Sequence, residues 1–182
     1  MIIDIHVHHT WAKRDEPPWA LIEETLALAE QCGIQKIGLL GTYSYHGYDP
    51  TEEGIQECNT HAALIVERYP AQVYSFCYLN PAHDPAFSRD ELDRCVSEFG
   101  MLGIKQWIAV NARDKRLDVV MEGARRYKLP VLFHAWYKST GYVYNESTPA
   151  DIRDLGLRFP DVLIIMPHLN GCGVRGVLEG SS

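Results

Sequence analysis

Two histidines separated by one residue stand at the end of the first apolar run of the chain, Ile2–Val7. In a strand, alternate side chains point to the same face, so His6 and His8 would lie about 6–7 Å apart and could bind one cation. Imidazole nitrogens bind zinc and related metals at about 2.0–2.1 Å. Chance histidines on an exposed strand end are the alternative, but polar side chains on a strand rich in isoleucine and valine need a partner. The pair therefore predicts a metal site.

Two further histidines follow later apolar runs. His134 closes the run Pro130–His134, and His168 comes shortly after Val162–Met166. In a parallel barrel the carboxyl ends of all strands open on one rim, so these two would join the first pair in space. A single histidine at such a position is more often a hydrogen-bonded core residue. Four at matching positions on three strands favour one shared site.

Four other side chains are candidates for binding a substrate. Lys105 lies within the run Gly103–Ile108, where it either pairs with a carboxylate or points into the site with a pKa lowered by desolvation. In the second case it could bind an anionic group or carry a carbamate that bridges to a second metal. Arg113 could hold a substrate carboxylate. Trp107 and Trp136 follow strand ends and could form apolar walls for a small ligand.

The four remaining histidines carry less weight, and His9, which adjoins the first pair, is expected to point to the opposite strand face. His61 falls in a helical stretch and His83 in a loop, and both are expected to be solvated. His46 lies in the aromatic loop 41–48, which could form a wall of the site or could simply pack on the rim.

The elements that must position these residues are read from the hydrophobic pattern. Six short apolar runs are typical of strands buried on both faces: Ile2–Val7, Lys36–Leu40, Val73–Leu79, Gly103–Ile108, Pro130–His134 and Val162–Met166. Five stretches with helical spacing lie between them: Trp19–Cys32, Glu52–Tyr69, Phe87–Phe99, Leu117–Tyr127 and Pro149–Phe159. This alternation predicts parallel strands joined by right-handed crossovers. Thr148 before Pro149 predicts a capped helix start, and Gly33 and Gly100 predict left-handed residues after helices.

The spacing of the runs indicates the architecture. They begin about every 32 residues, so eight units would need roughly the 250 residues of a (β/α)₈ barrel. The 182 residues hold between five and six units, which predicts an α/β fold of the TIM-barrel type with about six of eight units present, as one incomplete barrel domain spanning residues 1–182. A complete, doubly wound open sheet is the alternative, but no glycine-rich phosphate loop follows the first run.

Composition excludes several classes of function. The 17 Lys and Arg residues against 24 Asp and Glu residues give a net charge of −7, and the basic residues are scattered, so nucleic acid and anionic membranes are poor partners. The five cysteines are odd in number and never spaced Cys-x-x-Cys, which is typical of reduced thiols in a cytoplasm. No apolar run approaches the ~20 residues of a membrane-spanning helix. We expect a soluble, cytoplasmic protein with a small-molecule substrate.

The motifs together resemble the amidohydrolase superfamily, in the amidohydrolase-related branch that includes aminocarboxymuconate-semialdehyde decarboxylase. The matching pieces are IDIHVH at 3–8, GIK at 103–105, PVLFH at 130–134, RFP at 158–160 and MPHLNG at 166–171. They cover nearly the whole chain, and their order and spacing make the resemblance specific. TatD-like nucleases and polymerase-and-histidinol-phosphatase phosphoesterases share the opening motif but differ in the later ligands.

The resemblance implies a (β/α)₈ barrel that holds one divalent metal, usually zinc, on His6, His8 and His134. It implies that His168 contacts the metal-activated water and moves a proton. The aspartate that the family carries on its eighth strand has no counterpart here, so the chain is expected to be truncated before the last two strands. Asn170 departs from the glycine that usually follows the family's histidine.

Three functional hypotheses follow. The first is a metal-dependent hydrolase of a small carbonyl substrate, such as an amide or a lactone, with His168 relaying a proton. The second uses the same site for non-oxidative decarboxylation of an unsaturated or aromatic carboxylic acid. The third is a catalytically silent fragment, whose open strand edges could pair into a homo-oligomer. The residue types do not separate the first two.

Overall fold

The computed structural model describes residues 1–8, 16–41, 46–137 and 143–168, in which strands and helices alternate. The strands are β1, Ile2–His8; β2, Ile34–Leu40; β3, Val73–Tyr78; β4, Ile104–Gln106; β5, Val131–Phe133; and β6, Ile164–Ile165. The helices are α1, Trp19–Gln31; α2, Glu52–Arg68; α3, Pro85–Ser97; α4, Asp118–Tyr127; and α5, Pro149–Arg158. Every strand and helix predicted from the sequence is confirmed, with ends that differ by a few residues.

The six strands form one parallel sheet in the order β1-β2-β3-β4-β5-β6, each paired with its neighbours in the chain. Sequential order is typical of a barrel, whereas a doubly wound sheet reverses its order at a switch point. In a flat sheet, β1 and β6 would lie roughly 24 Å apart. Here Ile5 of β1 and Ile165 of β6 pack against the same small cluster, formed by Leu40, Phe76 and Leu132. The sheet therefore curls into part of a barrel, as predicted.

The larger core lies between the convex face of the sheet and the helices. Each helix contributes fully buried side chains to it, among them Ile22, Ile65, Leu92, Met121 and Leu155. Because β2 to β5 are covered on both faces, their burial agrees with the expectation from their apolar runs.

The expectation of full burial is wrong for the outer strands. Ile2 and Ile3 of β1 are 56% and 41% exposed, and Leu163, just before β6, is 66% exposed. Within the described residues, each outer strand pairs on one side only, so a branched side chain there has fewer neighbours to cover it.

The predicted helix boundaries have the expected chemistry. The Thr148 hydroxyl accepts from the Asp151 N–H, the Asp151 carboxylate accepts from the Thr148 N–H, and Pro149 occupies the first turn of α5. Gly33 and Gly100, which follow α1 and α3, have φ values of 75° and 63°. Left-handed backbone of this kind costs glycine least.

Two predictions from composition can be compared with the structure. None of the helices within the described ranges has the length and apolarity needed to cross a membrane. Cys58, Cys77 and Cys95 are buried and Cys32 is exposed, and none of these four cysteines forms a disulfide. Cys172 lies outside the described residues.

The close approach of β4 to β3 depends on a glycine. A Cβ at Gly103 would overlap the Phe76 ring, whereas one at Gly156 in α5 would be 3.9 Å from its nearest neighbour, Ile164 Cδ1. We expect Gly103→Ala to lower the free energy of unfolding by about 1–3 kcal/mol through overpacking. Gly156→Ala should instead raise it by about 0.5–1 kcal/mol because alanine favours helix. Urea denaturation measures both, and an unaffected Gly103→Ala variant would contradict the close packing.

Candidate metal centre

The first two candidate ligands lie at the irregular end of β1. The pairing of β1 with β2 shifts register between Asp4 and Val7, and the Asp4 carboxylate accepts a 3.0 Å hydrogen bond from the His6 N–H. Irregularities of this kind re-aim side chains near functional sites. The Nε2 atoms of His6 and His8 lie only 2.9 Å apart. The two rings therefore face each other more closely than a regular strand would place them.

The other two candidate histidines complete the cluster. The His168 ring centroid is 4.9 Å from that of His6 and 5.0 Å from that of His134, and His168 Nε2 is 3.3 Å from His134 Nδ1. His168 has φ of 61°, which is uncommon for a residue other than glycine and is often found at functional sites. Strand ends 160 residues apart in the chain thus meet at one rim, as the sequence predicts.

The cluster fits a metal in part. Two nitrogens bound to one cation at about 2.0–2.1 Å lie roughly 2.9–3.4 Å apart, and the Nε2 atoms of His6 and His8 meet this condition. His134 Nε2 does not join them, because it lies 3.0 Å from Glu146 Oε1. Across the part of the chain that the structure describes, no three His, Cys, Asp or Glu side chains are arranged as a metal site. The assignment of His6, His8 and His134 as ligands stays a prediction.

The electrostatics of the rings favour metal binding. Loss of water is the largest cause that lowers the pKa of His6 to about 4 and that of His8 to about 3, and the Lys105 ammonium is the next cause. This holds for His8 although the residue lies at an exposed end of β1. Burial also lowers the pKa of His134 to about 4, against the opposing effect of Glu146. The rings are neutral at pH 7, and neutral imidazole is the form that binds metals.

Lys105 lies inside the curl of the sheet and is fully buried. Its Nζ has no hydrogen-bond partner among the described residues, and burial lowers its pKa to about 7. The salt bridge considered for Lys105 finds no carboxylate in those ranges. A buried cation without a partner is costly, and such groups cluster at functional sites.

The remaining predicted residues lie in different surroundings. The Trp136 ring is 4.4 Å from the His168 ring, so it forms a wall of the cluster. Trp107 instead packs edge-on against Tyr48, at 5.0 Å between centroids. Arg113 Nε lies 2.8 Å from Asp151 Oδ1, so it ties its loop to the start of α5. The roles of these three in substrate binding stay predictions.

The expectation that His61 and His83 are solvated is wrong. His61 is 6% exposed on the inner face of α2, where burial lowers its pKa. His83 is half-buried, with Nε2 2.7 Å from the carbonyl oxygen of Pro50. His46 packs over α2, where its Nδ1 would lie 2.8 Å from a Cβ at Gly54. Residues 42–45 of the aromatic loop lie outside the described residues.

The sequence gives no indication of Glu146, whose side chain is completely buried beside His134. It is a single glutamate in the connection between β5 and α5, with no motif around it. Only the folding of that connection onto the rim of the sheet brings the two side chains together.

Comparison with known families gives one match over nearly the whole sequence. A family model described as amidohydrolase matches residues 3–179. Comparison with curated protein sequences gave no significant match.

Solved structures show the same fold. A 2,6-dihydroxybenzoate decarboxylase from Rhizobium is 16% identical with a TM-score of 0.70, over 93% of this chain and 66% of that one. A 4-oxalomesaconate hydratase from Rhodopseudomonas palustris is 18% identical with a TM-score of 0.66, over 94% and 64% of the two chains. A dihydroxybenzoic acid decarboxylase from Polaromonas sp. JS666, with bound manganese and the inhibitor 2-nitroresorcinol, is 16% identical with a TM-score of 0.66, over 93% and 65%. The chain thus spans about two thirds of the length of these structures.

The buried ammonium of Lys105 predicts a pH-dependent stability difference. We expect Lys105→Met to raise the free energy of unfolding by about 1–3 kcal/mol at pH 6.5, because it removes a buried charge that lacks a partner. The pKa of Lys105 is about 7 in the fold and has an ordinary value of 10.5, so between these the unfolded wild type binds more protons and its stability rises with pH. The advantage of the variant should therefore shrink toward pH 10.

Urea denaturation at pH 6.5, 8 and 10 measures this difference. Lys36→Met is the matched control, because Lys36 lies partly exposed on the neighbouring part of the sheet, in β2. A Lys105→Met variant less stable than wild type at every pH would contradict the unpartnered state of the ammonium.

Proposed function

Because the chain belongs to the amidohydrolase family, we propose that it binds one divalent metal ion at the histidine cluster and acts there on a small carboxylated substrate. The observation that carries the proposal is the meeting of four histidines from three strand ends beside the buried Lys105. Zinc was expected from the resemblance, and manganese is the ion in the Polaromonas structure. Both ions are candidates.

The metal and the protein have separate tasks. A bound divalent cation supplies positive charge that polarises substrate oxygen atoms and lowers the pKa of water. His6, His8 and His134 hold it in their neutral form. Their lowered pKa values keep protons from competing for the ring nitrogens down to about pH 5.

The protein side of the site suits a carboxylated aromatic molecule. Lys105 can bind a carboxylate through its ammonium, and the arriving negative charge would offset the desolvation that lowers its pKa. Trp136, tilted by 30° against the His168 ring, offers a flat apolar wall for a ring.

Decarboxylation is the first candidate reaction. The bond between the ring carbon and the carboxyl carbon would break, its electron pair would stay on the ring carbon, and CO₂ would leave. His168, which lies beside Trp136, would deliver the proton that the ring carbon then takes up. Two of the similar structures described above are decarboxylases of dihydroxybenzoic acids, which moves this reaction ahead of hydrolysis.

Hydrolysis of an amide or lactone is the second candidate. Here His168 would take the proton from the attacking water and pass it to the leaving group. The neutral imidazoles and the hydratase among the similar structures support this alternative. A catalytically silent chain is the third outcome that the experiments below distinguish.

The domain organisation, the location and the partners of the protein are also part of the proposal. All described strands belong to one sheet, which supports a single barrel domain over residues 1–182. The four cysteines among the described residues form no disulfide, which supports a cytoplasmic location. The negative net charge argues against nucleic acid and anionic membranes as partners, and the one-sided pairing of β1 and β6 allows a homo-oligomer.

Metal binding is tested directly. We expect wild-type protein to bind about one equivalent of Mn²⁺ or Zn²⁺ after metal stripping, measured by titration calorimetry and elemental analysis. His8→Ala should weaken binding by at least 100-fold, because it removes one of two nitrogens already facing each other. His83→Ala is the control, since this histidine contacts Pro50 rather than the cluster. Equal binding by the two variants would exclude His8 as a ligand.

The reaction is tested with metal-loaded protein on a panel of hydroxylated benzoic acids, amides and lactones. We expect CO₂ release from a hydroxybenzoic acid, and Lys105→Met should lower kcat/KM by ~10–100-fold because a charged hydrogen bond to the carboxylate is lost. Hydrolytic products without CO₂ would support the second candidate. Stoichiometric metal without turnover of any compound would support a silent chain.

A further inference from the structure

The two ring nitrogens of His134 have different neighbours. Its Nε2 lies 3.0 Å from Glu146 Oε1, and its Nδ1 lies 3.3 Å from His168 Nε2. Glu146 is 7% exposed and its side chain is completely buried. A carboxylate in this position has been removed from water, so its hydrogen bonds must come from the protein.

A short turn presents the Glu146 carboxylate to the ring. The Glu146 N–H donates to the carbonyl oxygen of Val143, and the Val143 N–H donates to Glu146 Oε2 at 3.4 Å. Between them, Asn145 has φ of 70°, and its amide donates to the carbonyl oxygen of Ala109 at 2.9 Å. Asn111 donates to the carbonyl oxygen of Glu146 itself. The turn is therefore tied to the segment that follows β4.

The same turn is also tied to the end of β5. Ser147 forms a parallel bridge with Ala135, and the Trp136 N–H donates to the carbonyl oxygen of Ser147 at 3.0 Å. The Ser147 hydroxyl accepts from the Ala112 N–H at 2.9 Å. Ala135 follows His134 in the chain, and Ser147 follows Glu146. The bridge between Ala135 and Ser147 therefore holds the side chains of His134 and Glu146 opposite each other.

The hydrogen-bond donors around the Glu146 carboxylate determine which ring nitrogen of His134 carries the proton. The Val143 N–H can only donate, so Glu146 Oε2 is an acceptor. An ionised carboxylate accepts at both oxygens, which requires His134 to carry its proton on Nε2. The Nδ1 lone pair then faces His168.

We propose that Glu146 is the positioning residue of His134: it holds the ring as the Nε2–H tautomer and thereby makes Nδ1 the atom that faces the metal. The inference rests on the proposed metal site. It also removes a difficulty of that site, because His134 can join the cation through Nδ1 while its hydrogen bond to Glu146 stays intact. Carboxylates that accept from metal-binding histidines fix the ring and raise its basicity.

The tautomer is tested without any metal. In ¹⁵N-histidine-labelled, metal-free wild type at pH 7, with the His134 signals assigned by their loss in His134→Gln, we expect a protonated Nε2 and an unprotonated Nδ1. Glu146→Gln should preserve this pattern, because an amide oxygen can also accept. Glu146→Leu should abolish the preference. A protonated Nδ1 in wild type would overturn the inference.

Metal affinity is tested on the same proteins by Mn²⁺ titration. We expect Glu146→Leu to weaken binding by about 10–100-fold and Glu146→Gln by less. Glu91→Gln is the matched control, because Glu91 is another buried glutamate, 2% exposed, whose partners are Asn59 and Arg94 on the convex side of the sheet. Unchanged affinity in Glu146→Leu would overturn the positioning role. A loss beyond 1,000-fold in Glu146→Gln would make Glu146 itself a ligand and would also overturn it.

The two experiments separate this inference from the proposed function. If wild type binds no Mn²⁺ or Zn²⁺, the proposed function fails, while the ¹⁵N spectrum of the metal-free protein still decides whether Glu146 holds the tautomer. If wild type binds metal and shows the Nδ1–H tautomer, the proposed function stands and the role of Glu146 fails.

Discussion

The curl of a parallel sheet is the constraint on which the candidate site depends. Parallel pairing places the carboxyl ends of all strands at one rim, and curling brings the rim residues of β1 and β6 within contact. Without the curl, His6 and His168 would lie on opposite sides of a sheet six strands wide. The inner cluster of Leu40, Phe76 and Leu132 fills the concave face and supports this curvature from below. The apolar side chains on the concave face of the sheet thus also form the base of the histidine cluster.

The polar layer above that base is unusual in its charge. Four imidazoles and one ammonium share a confined space. Among the described residues around them, Glu146 provides a buried carboxylate. Desolvation, with a further contribution from the Lys105 charge, lowers the pKa values of His6, His8 and His134 and keeps these three rings neutral, and desolvation also lowers the pKa of Lys105. Such an arrangement is unfavourable in a protein without bound ligands. It is favourable in a protein that binds a cation and an anion together. We interpret the site as built for that pair.

The sequence predicted those parts of the molecule that depend on local pattern. Buried runs and helical periodicity indicated the six strands and five α-helices of the described residues. Strand-end histidines indicated the cluster, because in a parallel sheet the end of each strand lies at the rim. The sequence did not predict the features that depend on contacts between distant segments. The solvated state assigned to His61 was wrong because periodicity does not show which face of α2 is covered. Glu146 could not be found, because contacts between distant segments, among them the bridge between Ala135 and Ser147, bring it to His134.

The one-sided pairing of β1 and β6 within the described residues has a consequence for how the protein opens. Within the described chain, β1 and β6 are the two strands paired on one side only, so their amide groups should exchange hydrogen with solvent sooner than those of β3 or β4. His6 and His8 stand on one of these strands, and His168 follows the other. Any ion held by these rings would join the two least protected borders of the sheet. Their local opening would then become a single concerted event, linked to release of the ion.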